Sequence, residues 1–348
     1  MSCIVIFGGS GFIGTFFADF LLNNGVAEKI YLVDVESPLE KPFPFRHRII
    51  AKHGERIEFV RLDVREKIEF SPPEPVFLTA NFAAVHREPG HLSAEYFETN
   101  LRGAENVCDW ATRIECENLI FTSSISPYGV SELTKDETTL PVPVTAYGAS
   151  KLVAEKIHNT WQAWSPNKRR LVIARPGVVF GPGEGGNVTR LVRAVSRGYF
   201  CYMGNRATRK AGIYVKELCN ALWWTFKERA SQSEFPILFN GTMNPGPSIE
   251  EYVNAVISTR GRRAIVPTAP FPLLLAASYL IDGLAKPLRI THPFDPVRMR
   301  KLVRSNNVLP SFLISNGYNY IYTLRTAMDD WKLECPDDWD MTGQQTKN

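Results

Sequence analysis

The first 34 residues limit the possible folds more than any other stretch of the chain. Cys3-Ile4-Val5-Ile6-Phe7 is a continuous apolar run, the pattern of a parallel strand buried on both faces. It leads directly into Gly8-Gly9-Ser10-Gly11-Phe12-Ile13-Gly14, and an apolar, helix-like stretch continues to about Leu22. Glycines at 8, 11 and 14 allow a tight turn, close backbone approach to a pyrophosphate and close helix–strand packing, while free N–H groups at the helix start face the anion. A second strand over residues 29–33 ends in Asp34, 20 residues after Gly14. A carboxylate there accepts hydrogen bonds from ribose hydroxyls and repels a 2′-phosphate. The pattern therefore predicts a dinucleotide site, with Phe12 and Ile13 in its loop, and favours NAD over NADP. The competing reading, a Gly-rich turn with no ligand, leaves the strand, helix and acid in sequence without a reason.

A second feature carries chemistry. In Thr145-Ala146-Tyr147-Gly148-Ala149-Ser150-Lys151, Tyr147 and Lys151 stand at i and i+4, and the following Leu152-Val153-Ala154-Glu155-Lys156-Ile157 reads as helix. Such residues share one helix face. A free phenol has a pKa of about 10, and a neighbouring ammonium shifts it toward the working range of a base. Of the 12 tyrosines, Tyr147 alone has a lysine four residues on. Upstream, Thr122-Ser123-Ser124 offers hydroxyls; Ser124 reads either as a turn or cap serine or as a donor to the same substrate oxygen.

Taken together, Gly8-x-x-Gly11-x-x-Gly14, Phe121-Thr122-Ser123-Ser124-Ile125-Ser126-Pro127-Tyr128-Gly129, Tyr147-x-x-x-Lys151, Arg175-Pro176-Gly177-Val178-Val179-Phe180-Gly181-Pro182 and Ile213-Tyr214-Val215-Lys216-Glu217-Leu218 run in order from residue 3 to about 222. This set resembles the extended short-chain dehydrogenase/reductase superfamily, in its NAD-dependent epimerase/dehydratase branch. The resemblance implies an α/β fold: a Rossmann-type doubly wound parallel sheet with a smaller C-terminal substrate-binding lobe. It implies that Tyr147 is the base, that Lys151 stabilises the phenolate and holds the nicotinamide ribose, and that Ser124 is the third catalytic group. It also implies cofactor contacts from Asp63 and Val64, from Phe82, Ala83 and Ala84 behind the cofactor, and from Pro176, with Asn100 bracing the active-site loops. A homodimer through the helices at 92–113 and 147–164 is a further implication.

The alternation of strand-like and helix-like runs gives strands at 57–62, 76–84 with the loop behind the cofactor, 119–122 and 171–174, and a long helix over 92–113. Residues 38–48, Pro-rich and basic, read as an inserted loop. We expect a NAD-binding domain over 1–180, a lobe mainly over 181–340 with the chain re-entering the first domain around 205–240, and a frayed tail over 341–348. Hydrophobic residues make up 44% and charged residues 22% of the chain, which fits a soluble globular protein. The net charge of +4 reads as spread along the chain, which gives no nucleic-acid partner. The six cysteines show neither Cys-x-x-Cys nor metal-ligand spacing, so no metal is expected. Residues 270–281 form the longest apolar stretch. It falls short of the roughly 20 residues a membrane span needs, so a buried or oligomer-facing helix is the favoured reading over a membrane-surface anchor. An immediate N-terminal strand points to the cytoplasm.

Two departures from the resembled family bear on the substrate. Nucleotide-sugar 4,6-dehydratases carry an Asp-Glu pair directly after the catalytic Ser or Thr; here those positions are Ile125 and Ser126, which cannot perform acid–base elimination. Many sugar-nucleotide epimerases place Asn where this chain has Val178, a form also seen in hydroxysteroid and ketone-reducing relatives. Asn187, Lys210 and Arg298 occupy places that the resemblance gives to diphosphate contacts, a role suited to convergent cations. Arg87 and Ser126 are further candidates for substrate contact. The reading reached is an NAD-dependent nucleotide-sugar epimerase, most simply at C4 of a UDP-sugar. A one-way dehydrogenase or ketoreductase of a sugar nucleotide or sterol-like substrate stays open, as does a non-catalytic NAD-binding sensor.

Overall fold

The computed structural model describes residues 2–40, 43–88, 90–229, 235–261, 264–285 and 303–339. Alternating β/α units open the chain: β1 (Cys3–Phe7), α1 (Phe12–Asn23), β2 (Lys29–Asp34), α2 (Pro44–His53), β3 (Ile57–Arg61), β4 (Val76–Asn81), α3 (Ser93–Arg113), β5 (Asn118–Thr122), α4 (Ala146–Ala163) and β6 (Arg170–Pro176). After these come β7 (Val178–Phe180), α5 (Asn187–Ser196), β8 (Tyr202–Met203), β9 (Gly212–Tyr214), α6 (Val215–Arg229), β10 (Ile237–Gly241), α7 (Ile249–Arg260), β11 (Thr268–Ala269), α8 (Phe271–Ala285), α9 (Ser311–Ser315) and α10 (Leu324–Glu334). Seven strands form one parallel sheet in the order β10-β6-β5-β4-β1-β2-β3. That is a doubly wound Rossmann-type sheet, in which the strand order reverses between β1 and β4.

The buried apolar runs explain the layering. All five residues of β1 are buried, and their side chains alternate: Ile4 and Ile6 join one core, with Phe17 and Leu21 of α1 and Leu218 and Leu222 of α6. Cys3, Val5 and Phe7 join the other, with Val107 and Trp110 of α3 and Ala154 and Trp161 of α4. The strand is apolar throughout because both of its faces are covered. β10 and α6, far along the chain, add to the sheet edge and its face, with Ile237 to Gly241 in register with Val172 to Pro176. Two short parallel pairs, β7 with β9 and β8 with β11, lie beside the main sheet.

The structure corrects two local expectations. Within 38–48, read as a loop, α2 begins at Pro44, a residue whose fixed φ suits the first helical turn. Phe45 then stacks on Phe16 of α1, with ring centroids 5.8 Å apart. The apolar run at 270–281 does form a helix, α8, but of the two readings, buried or oligomer-facing, the first does not hold: Ser278 is enclosed, whereas Leu273, Tyr279, Leu280 and Ile281 are exposed.

Candidate active site

The glycine loop sits at the strand-order reversal, at the carboxyl ends of β1 and β4. Gly8 has φ +74°, and a Cβ on it would lie 2.5 Å from the Ala83 amide nitrogen. A Cβ on Gly14 would lie 2.6 Å from the Gly8 carbonyl, and one on Gly11 3.0 Å from the same oxygen. Three backbones thus meet where any side chain would intrude, leaving main-chain N–H groups as the lining. Gly11 precedes α1, whose start carries no side-chain cap and no acidic residue, so its amides and dipole are available to an anion. This cradle fits the pyrophosphate of a dinucleotide.

Asp34 ends β2 and accepts hydrogen bonds from the Ser10 amide at 3.1 Å and its neighbour Val35 at 2.8 Å. It is therefore fixed against the glycine loop, where a ribose would pass. Asp63 follows β3 and forms an ion pair with Arg65 at 2.5 Å, which holds its carboxyl below the usual range. Val64 is buried and packs against Gly103 of α3. Phe82 meets Phe17 edge-on at 5.5 Å, and its amide donates to the Phe7 carbonyl at 2.8 Å. The chain then passes through Ala83 over Gly8. Phe12 lies edge-on to Phe16 at 5.3 Å, and Ile13 packs on the core from the same turn.

Ser124 follows β5, and Tyr147 and Lys151 lie in the first turns of α4, capped by Thr145, whose hydroxyl accepts the Gly148 amide at 3.1 Å. The Ser124 hydroxyl donates to Ser126 Oγ at 3.1 Å and accepts from the Ser126 amide. Burial pushes the Tyr147 phenol up to about 12, and the Ser124 hydroxyl beside it works in the opposite direction. Burial pulls the Lys151 ammonium down to about 7, partly countered by Glu155. Its Nζ lies 4.4 Å from the centre of the Phe121 ring. The protein's own groups thus do not lower the phenol as the i, i+4 spacing alone predicts, because both groups are desolvated and desolvation dominates.

Lys151 makes a stability prediction with a definite sign. An unfolded lysine titrates near about 10.4. Between about 7 and that value the unfolded chain holds a proton that the folded chain lacks, so stability rises with pH across this window. The buried thiols, raised by burial, act in the opposite direction above about 8.5, so the contribution of Lys151 is read as a difference: the unfolding temperature of wild type minus that of Lys151→Met is expected to rise with pH through the window in calorimetry. A difference that falls over that range would contradict the assignment.

Beneath these groups lies a buried brace. Asn100 of α3 accepts the Val85 amide at 2.9 Å, and its Nδ2 donates to the Val85 carbonyl at 3.2 Å and to Ser150 Oγ at 2.9 Å. One side chain therefore ties the loop after β4 to α4 between Tyr147 and Lys151. Glu155, one turn beyond Lys151, takes a bidentate ion pair from Arg175 at 2.6 and 2.8 Å and a hydrogen bond from the Ser123 hydroxyl. Pro176, at the end of β6, accepts the Ile125 amide at 3.1 Å.

Of the substrate candidates, Ser126 belongs to the Ser124 turn. Arg87 is exposed, and its carbonyl accepts the Tyr96 hydroxyl. Asn187 opens α5, and its Oδ1 accepts from Arg190 at 2.5 Å. Lys210 Nζ donates to the Arg304 carbonyl at 2.6 Å. Arg298 lies outside the described residues. Two groups escaped the sequence reading. Tyr96 tilts against Tyr147 with ring centroids 5.9 Å apart, and residues 303–309 cross back beside the site, where the Ser305 amide donates to Glu132 at 3.2 Å and the Lys135 amide to the Asn307 carbonyl at 3.0 Å.

Across the glycine loop, the serine turn and the Tyr/Lys helix, residues 4–238 match the NAD dependent epimerase/dehydratase family. The chain belongs to that family. Its relatives include the N-acetyl-alpha-D-glucosaminyl-diphospho-ditrans,octacis-undecaprenol 4-epimerase of Escherichia coli O157:H7, 27% identical across 94% of this chain and 93% of that one. A bifunctional UDP-glucose 4-epimerase and UDP-xylose 4-epimerase of Pisum sativum is 28% identical across 58% of this chain and 59% of its own. Among solved structures, the UDP-Glc/GlcNAc 4-epimerase of Campylobacter jejuni superposes with a TM-score of 0.69 at 19% identity, over 96% of this chain and all of that one. At that identity the likeness shows a shared fold. Among the described residues of this family member, no group of metal-binding side chains occurs and no helix is long and apolar enough to cross a membrane.

Proposed function

We propose that the protein is an NAD-dependent 4-epimerase of a sugar carried on a diphosphate, in the first place a UDP-sugar. What supports this reading is the Ser124 hydroxyl beside the Tyr147 phenol and the Asn100 brace that ties the Tyr147–Lys151 turn to the loop whose Ala83 packs over Gly8, with Ile125 and Ser126 where elimination would require acids. NAD is assigned to the cradle, with Asp34 on its ribose; bound there, it supplies a hydride acceptor at the start of the cycle, a hydride donor at its end, and a positive charge. Tyr147 Oη takes the proton of the C4 hydroxyl and returns it after the 4-keto sugar has turned its other face. Ser124 Oγ holds the same oxygen through both halves. Lys151 offsets the charge on the phenolate, and its own lowered affinity for a proton lets it exchange one readily near neutral pH. Asn100 fixes the spacing between Tyr147 and the loop behind the cofactor.

Residues 1–180 with the returning β10 and α6 form the cofactor half, and most of 181–340 forms the substrate lobe. Asn187, Lys210 and Arg298 are assigned to the diphosphate, with Arg87 and Ser126 toward the sugar. We place the homodimer on the outer faces of α3 and α4, where Phe97 and Val153 are exposed. Six unpaired cysteines support a reducing, cytoplasmic setting.

A second reading, a sugar on a lipid diphosphate, is supported by the reach of the matches. The relative named for an undecaprenol-linked sugar aligns across the lobe, whereas the pea enzyme aligns over 58% of the chain. Proton NMR of the anomeric region, after incubation with NAD and a panel of UDP-, GDP- and dTDP-sugars and a prenyl-diphosphate-linked sugar, tests both. A new anomeric signal reached from either epimer without net NADH is expected. Accumulating NADH would instead identify a one-way dehydrogenase, and silence across the panel would remove the epimerase assignment.

A further inference from the structure

The first turns of α3 hold both the loop after β4 and the ring of Tyr147. Residues 96 and 100 stand one turn apart on one face of the helix. Asn100 grips both backbone groups of Val85. Tyr96 holds the chain two residues further on, where its hydroxyl donates to the Arg87 carbonyl. The arc from Val85 to Arg87 is thus fastened at both ends, and His86 and Arg87 on it are exposed. After burial and the Ser124 hydroxyl, the next groups acting on the Tyr147 phenol are Glu88, directly after this arc, and Tyr96. The arc therefore borders the site.

The Tyr96 ring is buried between two partners. It tilts at 52° to the Tyr147 ring and meets His91 edge-on, with centroids 5.8 Å apart. His91 Nδ1 pairs with Glu95 at 2.7 Å, and Glu95 accepts the Leu92 amide at 3.2 Å. That reciprocal contact closes the start of α3 and fixes the turn that carries Tyr96. Among the described residues, no other aromatic ring meets Tyr147. A core tyrosine would account for the burial alone. It would not account for a ring set against the catalytic phenol together with a hydroxyl set on the loop beside it.

We propose that Tyr96 is a positioning residue with two separable halves: its ring sets the angle of the Tyr147 ring, and its hydroxyl holds the arc that brings Arg87 toward the sugar. The inference rests on the epimerase reading above. Each half has its own kinetic signature. The hydroxyl acts through contacts that the sugar makes equally before and during reaction, so its loss raises KM and leaves kcat in place. The ring acts on the alignment of Oη with the proton it takes, so its loss lowers kcat. A tyrosine that served only to fill the core would show no such division.

Two variants of the full chain test this. Tyr96→Phe keeps the ring and deletes the hydrogen bond; the Arg87 carbonyl, on an exposed residue, regains water, so the unfolding temperature is expected to stay near wild type. KM for the sugar substrate is expected to rise about five- to tenfold, with kcat within about twofold. Amide exchange over residues 83–88, followed by mass spectrometry, is expected to quicken at least about fivefold. Tyr96→Leu is expected to lower kcat by about 10- to 100-fold, a loss that Tyr96→Phe does not share. A wild-type KM in Tyr96→Phe, exchange that does not quicken, or equal kcat in the two variants would overturn the proposal. If Tyr96→Leu fails to fold, the KM and exchange results for Tyr96→Phe still decide it. The exchange comparison uses no substrate. A wild type that epimerises nothing would therefore remove the reading of function, whereas unchanged exchange would remove the role of Tyr96.

Discussion

Replacing Tyr147 by Phe is expected to lower turnover by about 10³-fold or more, at the upper part of the range for a lost general acid–base group, which corresponds to about 4 kcal/mol of barrier. The substitution deletes only Oη. The ring contact with Tyr96 at 5.9 Å remains, and a buried phenol that burial already disfavours as an anion leaves no charge behind. Stability and NAD affinity should therefore stay near wild type, which separates chemistry from folding. Ser124 and Lys151 cannot replace the lost oxygen: Ser124 Oγ is engaged with the Ser126 turn, and Lys151 reaches the reacting carbon only through the group it supports. The check is the initial rate of epimer interconversion by NMR, with calorimetry and NAD titration alongside. Turnover within tenfold of wild type would remove Tyr147 from the mechanism and favour a binding protein that carries the motif without using it.

Much of this site was legible because its signals are local. β1, the glycine loop, α1 and β2 are contiguous, and each residue pattern has one structural meaning at that spacing. Tyr147 and Lys151 were readable for the same reason, four residues apart on one helix. Their protonation was not readable. Spacing implies a cation beside a phenol, whereas the pKa values follow burial of both groups beneath helices and strands distant in sequence. Tyr96 was missed because, alone in α3, it resembles any core tyrosine; only the packing of α3 on α4 brings it to Tyr147. The diphosphate candidates Asn187 and Lys210 were placed by resemblance, and their partners, Arg190 and the Arg304 carbonyl, depend on lobe loops that no periodicity encodes. α8 shows the limit of hydropathy itself: an apolar run of that length reads alike whether the helix is enclosed by protein or faces outward.

The pair Glu155 and Arg175 carries the largest expected effect on stability. Both side chains are almost fully buried, exposed by 4% and 3%, and they meet in a bidentate pair. Burial opposes the Arg175 charge, but the Glu155 carboxylate more than offsets it and raises the guanidinium's pKa. Arg175 also lies over the Tyr128 ring at 4.7 Å. Removing one partner leaves the other as an uncompensated buried charge, at a cost of about 3–5 kcal/mol. Glu155→Leu takes away in addition the acceptor of the Ser123 hydroxyl, a loss of about 1–3 kcal/mol if no water replaces it. Each single variant, Glu155→Leu or Arg175→Leu, should therefore unfold at markedly lower urea. The double variant should recover most of the loss, because two apolar side chains of similar bulk leave no charge to solvate. Urea denaturation across the four proteins gives the coupling directly. Additive losses would mean that the two charges are solvated independently and that the pair holds nothing together. A strong coupling would mark it as the clamp that ties α4, one turn below Lys151, to the end of β6 at Pro176, so that the Tyr147–Lys151 turn is positioned from beneath by an ion pair and from the side by Asn100.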